Sequence, residues 1–303
     1  AGATDIKSTL RTFDPTVGSF AEVTQYLSDQ PDHRLAVHGT LRTGNHFHRD
    51  LLPALTDRGQ IQSYAHGYHC TLSTYYAEYF DFSPAACGLF DVGSIVARKP
   101  LPEDFPQDAY EQIWDGQGHV VFHPGEQAQL GMFSFVNVQG AIQGPDLRAI
   151  RNAVRVLSVP AFAAGVLPRI ETHDSDEVVV IGADGQSRPW AQRRAKELLE
   201  SLHPSRQEPQ NDATVLQSAR GLATYTAQVE VSGSESRWLL LKANMFPWWH
   251  ATINGQPTPI SHVAPNFMTV SVPPGEHDVR FQYRNPPLQK LGALLALGLM
   301  TAG

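Results

Sequence analysis

The sequence predicts an α+β protein, a mixed α/β region followed by an all-β sandwich of the immunoglobulin-like or jelly-roll kind. Three observations carry this. Helix-like and strand-like periodicities alternate through residues 16–202, strict period-two alternation replaces them from residue 213, and a polar stretch with Pro204 and Pro209 separates the two regimes. Alternating helices and strands mark a layered mixed domain, and short strands joined by turns mark a sandwich. A chain of 303 residues exceeds one typical domain. The expected division is 1–204 for the mixed domain, 205–287 for the sandwich and 288–303 for a terminal apolar segment.

Taken in order, residues 16–29 carry Phe20, Val23, Tyr26 and Leu27 at helical spacing, with Ser19 or Thr16 available as N-cap. A strand over 34–38 follows, then a loop rich in His, Gly and Asn, a brief helix over 50–57, and an aromatic-dense segment with Tyr75, Tyr76, Tyr79 and Phe80. Residues 89–97 read as a helix end and a buried strand, and 120–122 and 132–138 are strands by β-branched and aromatic enrichment. A helix is expected over 146–156, a strand over 177–181, and a helix over 189–202 with Pro189 in its first turn.

The second regime is clearer. Residues 213–219 and 222–231 are strands, the latter alternating Tyr225, Ala227, Val229 and Val231 with polar residues. Leu239, Leu241 and Ala243 point one way from one strand, Trp249, Ala251 and Ile253 from another, and Val279, Phe281 and Tyr283 from a third, because successive side chains leave a strand on opposite faces. Asn254-Gly255 between two such runs predicts a type I′ hairpin, and Pro273-Pro274-Gly275 a second turn.

Composition narrows function. With 42% hydrophobic residues the chain can bury a core, and a net charge of -7 with pI near 6.0 argues against nucleic acid, which demands clustered Lys and Arg. The one cationic cluster, residues 188–196, reads as a solvated helix face. Cys70 and Cys87 are too few for a disulfide framework, and either one bridge or two free buried thiols fits. The start, AGATDIKSTL, lacks the basic and apolar regions of a signal peptide. Residues 291–301, LGALLALGLMT, are apolar throughout but too short to cross a bilayer, which takes about 20 residues. They read as the truncated start of a membrane helix with Lys290 as interfacial anchor, a buried terminal helix being the alternative.

Candidate chemistry is sparse. On a strand, adjacent Trp248 and Trp249 face opposite ways, so Trp249 joins the core while Trp248 shares its face with His250 and Thr252. An outward Trp fits a sugar-stacking platform or a membrane-interface aromatic, and packing under a neighbouring loop is the plain reading. Trp248, His250, Tyr68 and Tyr75 are the candidate ligand-binding residues. His46 and His48, with His66 and His69 beside Cys70, have pairwise metal-ligand spacing, yet no four-ligand pattern appears, so no metal or other cofactor is expected. No G-x-S-x-G elbow exists, and Asp91, Asp104, Asp108 and Asp115 read as solvated acids before a glycosidase pair. Gly182-x-x-Gly185 lacks the third glycine of a phosphate loop, and Asp184-Gly185 is a turn.

The run Met245-Phe246-Pro247-Trp248-Trp249-His250-Ala251-Thr252-Ile253-Asn254-Gly255, then Val272-Pro273-Pro274-Gly275-Glu276-His277 before a strand and an apolar span, resembles the C-terminal extracytoplasmic end of YfhO-type bacterial membrane proteins. In that family an aromatic-Pro-Gly-Trp-x-Ala strand leads to an Asp-Gly or Asn-Gly turn, and a Pro-x-Gly-x-His turn precedes the last strand before a membrane helix. Gly67-Tyr68, Leu72 and Tyr75-Tyr76-Ala77-Glu78-Tyr79 are similar to an upstream segment of the family, and residues 89–97 to the strand after it. Trp248 departs from the pattern, standing where the family has Gly.

The resemblance implies a polytopic protein related to the GT-C glycosyltransferases, which move a sugar from a polyprenyl-phosphate carrier onto a cell-envelope glycan outside the cytoplasm. The catalytic Asp of such enzymes lies in an early loop between membrane helices, absent here, so no catalytic residue carries over and this portion alone is expected to be inactive. The expected role is an extracytoplasmic accessory region that holds the acceptor glycan or lipid-linked sugar, tied to the membrane through its C-terminal segment. The alternatives are a free-standing carbohydrate-binding or surface-interaction protein, and a secreted hydrolase using loop carboxylates.

Overall fold

The computed structural model describes residues 19–30, 34–37, 80–101, 103, 105, 107–174, 176–202, 212–221 and 223–284. Among these residues strand outweighs helix, 45% against 23%, so the α+β protein is predominantly β. Two compact units divide between Gly131 and Met132. Composition shifts at 204–205, but hydrogen bonding does not respect that shift, because strands from both sides of it join one sheet.

The first unit contains helices α1 (Ser19–Ser28) and α2 (Pro84–Phe90) and strands β1 (Arg34–Val37), β2 (Val92–Arg98), β3 (Glu111–Asp115) and β4 (His119–His123). They form a sheet of order β1-β2-β4-β3, with β1 and β2 parallel and the rest antiparallel. Helix α1 buries Val23 and Leu27 against Leu35, Val96 and Val121, the i, i+4 pair its spacing predicts. Tyr26 stacks on Trp114 with ring centroids 5.5 Å apart, and its hydroxyl donates to Ile113 O. Ser83 caps α2 by accepting from Ala86 N, and Asp91 ends it in the left-handed conformation.

The second unit is larger. Its strands are β5 (Phe133–Gly144), β6 (Val166–Thr172), β7 (Val179–Ile181), β8 (Ser187–Pro189), β9 (Ala213–Arg220), β10 (Thr224–Val231), β11 (Arg237–Leu241), β12 (Trp249–Ile253), β13 (Gln256–Thr258), β14 (Ser261–Val263), β15 (Phe267–Val272) and β16 (Gly275–Tyr283); its helices are α3 (Leu147–Ala163) and α4 (Ala195–Leu202). A five-stranded antiparallel sheet runs β13-β12-β16-β10-β9. A seven-stranded sheet runs β11-β15-β14-β6-β5-β7-β8, and a further pairing of β11 with the first half of β5 closes five of its strands into a ring.

The two sheets pack face to face. Phe133, Leu239, Leu241, Met268, Val270 and Val272 from the seven-stranded sheet meet Ala227, Val229, Val231, Ala251, Val279 and Phe281 from the five-stranded one. Phe133 and Phe281 lie 6.1 Å apart across the interface. The faces expected for Leu239, Leu241, Ala251, Val279 and Phe281 are therefore observed. Leu240 points the other way and is equally buried; α3 is the crossover between parallel β5 and β6. On the same side fully buried Lys242 lays its ammonium 5.6 Å from the Phe162 ring of α3.

Two expectations change. The helix expected over 189–202 begins later: Pro189 ends β8, a 3-10 turn spans Gln192–Arg194, and α4 starts at Ala195. β8 is the edge of its sheet, where a residue without an N–H is tolerated. The cationic stretch accordingly divides, Arg188 pairing with Asp184 across the β7–β8 turn and Arg194 with Glu197. The helix expected over 50–57 and Tyr75, Tyr76 and Tyr79 of the aromatic segment lie outside the described residues, while its Phe80 is buried.

Candidate functional site

Strand parity builds the outer surface of the five-stranded sheet. With Ala227, Val229, Val279, Phe281 and Ala251 turned into the core, the residues between them face outward. Register places these side chains in rows across the strands: Thr252, Arg280, Thr226 and Ala219 in one, Asp278, Gln228 and Gln217 in the next, His250, Gln282 and Thr224 in a third. The first two rows and Gln282 line an open groove of about 600 Å³, together with Arg284. Amide, hydroxyl, carboxylate and guanidinium groups alternate along it, offering donors and acceptors together.

The end of the sheet where β16 finishes is aromatic. Tyr225, Phe246, Trp249 and Tyr283, with Ala223, enclose a second cavity of about 250 Å³. Trp249 and Tyr283 are direct cross-strand partners with centroids 5.4 Å apart, and Tyr225 lies 5.8 Å from Trp249. Trp249 rests against the core and its indole N–H donates to Asn244 O at 3.1 Å, so its hydrogen-bonding group is satisfied and the ring is held in place.

Trp248 lies in the turn just ahead of β12 and not on the strand expected to carry it. It is 40% exposed, as is Phe246 two residues earlier. Its carbonyl accepts from Arg284 N at 3.0 Å, which ties the loop carrying both rings to the last described residue of the chain. His250 is exposed on the outer face of β12, paired with Gln282. Of the sequence candidates, neither Trp248 nor His250 lines the groove: His250 pairs with Gln282 and Trp248 O bonds Arg284 N, both of them lining residues. Tyr68, Tyr75, His46, His48, His66, His69 and Cys70 lie outside the described residues. Sequence reasoning placed Tyr225 and Tyr283 in the core alternation and missed the cup they form with Trp249; pairing of β16 with both β10 and β12 brings them together, and periodicity within one strand carries no such signal.

Among the acidic candidates, Asp104 lies outside the described residues, Asp108 is exposed, and Asp91 and Asp115 have structural partners. Asp91 is buried and accepts from Gly131 N at 2.6 Å, and Asp115 pairs with Lys99. Gly182 and Gly185 belong to the β7–β8 turn, where Gly182 N bonds Gln186 O and Gly185 N bonds Gly182 O, so no phosphate cradle forms. No group of three or more His, Cys, Asp or Glu suited to a metal occurs among the described residues. Cys87 is a buried free thiol.

Fold and surface together define a class: a two-sheet β module with a polar groove on its outer face and an exposed aromatic end facing the chain's exit. Residues 209–296 match the family described as bacterial membrane protein YfhO. The resemblance to YfhO-type proteins is thereby shown for that segment, which takes in the whole five-stranded sheet and continues into the apolar run after it. No curated protein matches the chain. Among the described residues no helix is long and apolar enough to cross a membrane.

Proposed function

We propose that this chain is the extracytoplasmic acceptor-holding region of a polytopic membrane protein resembling the lipid-linked-sugar glycosyltransferases of the cell envelope. The groove on the outer face of the five-stranded sheet carries this reading. It is open and lined by donors and acceptors fixed at strand spacing, and His250 pairs with its Gln282. Sugar hydroxyls demand paired donors and acceptors of this kind, and rigid strands hold them without the ordering cost a loop would incur. The match of residues 209–296 to a membrane-protein family supports the membrane setting, and the transferase chemistry belongs to parts of the parent outside this chain. The five-stranded sheet binds glycan and positions it; it contributes no catalytic group.

The test is a glycan array on the 303-residue chain, followed by calorimetry on the best ligand. Arg280→Ala and Gln228→Ala should each weaken binding about five-fold, the loss of roughly 1 kcal/mol of hydrogen bonding. Absence of any glycan ligand, or full affinity in the double variant, defeats the reading.

A further inference from the structure

The two ends of the five-stranded sheet differ in kind. At one end lie polar turns, with Asn254-Gly255 closing β12 to β13 and Gly275 opening β16. At the other, Phe246 and Trp248 stand out from the surface beside the aromatic cup of Tyr225, Trp249 and Tyr283. These two rings are half of the exposed large hydrophobic residues among the described positions, and they occupy a single loop. The last strand, β16, finishes at this end. Arg284 N bonds Trp248 O, and the sequence then runs Asn285-Pro286-Pro287-Leu288-Gln289-Lys290 into the apolar residues 291–301. Six residues separate Arg284 from Leu291, and the seven Cα–Cα steps span at most about 25 Å.

We infer that the Phe246–Trp248 loop seats the module on a lipid bilayer, with both rings at the boundary between headgroups and acyl chains. Exposed aromatics cost free energy in water, and Trp in particular suits the interface, its ring body apolar and its N–H able to meet headgroup or water. Arg284, whose N–H bonds Trp248 O, sets a cation beside the loop, and Lys290 precedes the apolar run in sequence; cations at such positions suit lipid phosphate. The short link confines the loop near any bilayer that takes up residues 291–301, so the seat and the apolar run act on the same surface. This inference concerns a lipid partner and does not rest on glycan binding. If both hold, the groove opens beside the membrane surface, where the headgroup of a lipid-linked sugar emerges.

The test uses the full chain with vesicles of phosphatidylcholine and phosphatidylglycerol, the phosphatidylcholine brominated high on its acyl chains so that it quenches indoles at the interface. Tryptophan emission should fall on mixing, and Trp248→Ser should lose most of that quenching while keeping the far-ultraviolet circular dichroism of the parent. Phe246→Ser, tested alongside, should weaken co-flotation while leaving the dichroism unchanged. Absence of vesicle binding overturns the inference. So does quenching in Trp248→Ser equal to that of the parent, since contact then comes from elsewhere in the chain. Glycan affinity measured without vesicles is untouched by either outcome, which keeps failure of the seat distinct from failure of the groove.

Discussion

The side-chain amide of Asn254 meets Nδ1 of His277 at 3.0 Å, joining the two turns that punctuate the family-like sequence. Asn254 also accepts from Asp278 N through Oδ1 at 2.8 Å, and His277 Nε2 reaches Pro274 O at 3.1 Å. With Nε2–H as donor to Pro274, Nδ1 is free to accept from the amide. The Asn-Gly turn and the Pro-x-Gly-x-His turn are thus one device, pinning the start of β16 to the end of β12. The residue types at these positions follow from it: Asn tolerates the left-handed φ of 50° and supplies both a donor and an acceptor.

Asn254→Ala should therefore destabilise the protein by about 1–2 kcal/mol, combining lost hydrogen bonds with an alanine forced to positive φ. Asn254→Gly keeps the turn and loses only the bonds, so it should cost less. Urea unfolding midpoints of the two variants and of His277→Ala, closed into a double-mutant cycle with Asn254→Gly, give the coupling directly. A coupling of zero would show that the Asn254–His277 bond contributes nothing to stability.

Much of this arrangement is legible in the sequence, and its limits have a physical cause. Alternation identified the inward faces of Leu239, Leu241, Ala251, Val279 and Phe281, and Asn254-Gly255 located its hairpin, because these signals live within one strand or one turn. Pairing between distant strands leaves no such trace. β11 bonds β5, more than ninety residues upstream, and this places the unit's start at Met132 when composition points to residue 205. The same limit hid the aromatic cup, since Tyr225 and Tyr283 become neighbours of Trp249 only through register. Pro189 misled for a different reason: helix first turns and sheet edges both accommodate a missing N–H.

Gly140 sits where the register of β5 shifts, between Val138 and Ala141, with φ of 67°. A Cβ there would collide with Ile181 O and the Leu202 side chain. Gly140→Ala combines left-handed strain with overpacking, and should cost about 2–4 kcal/mol. A melting temperature lowered by roughly 5–15 °C is the expected reading, and an unchanged one would mean that the bulge relaxes freely.

Cys87 is buried in α2, and burial, reinforced by the negative charge of Asp81, pushes its thiol up to about 12. The thiolate is the reactive form, so in the folded protein Cys87 should resist alkylation at a pH of about 8 that labels ordinary cysteines. Mass spectrometry of iodoacetamide-treated protein should find its peptide unmodified when native and modified in urea. Labelling at equal rates in both states would contradict the burial described.

His262 supplies the pH-dependent term. Burial lowers its pKa below 6.5, partly offset by the hydrogen bond between its Nε2 and Asn266 Oδ1 at 2.8 Å. The folded state therefore favours the neutral ring and binds fewer protons than the unfolded chain just below 6.5. Its contribution is fully present above that value and is lost as pH falls through it toward the depressed folded pKa. Unfolding midpoints should decline on the acid side of 6.5, and His262→Gln, which keeps a polar group near Asn266 but does not titrate, should flatten that part of the profile. A decline of equal slope in parent and variant would assign the acid sensitivity to other groups.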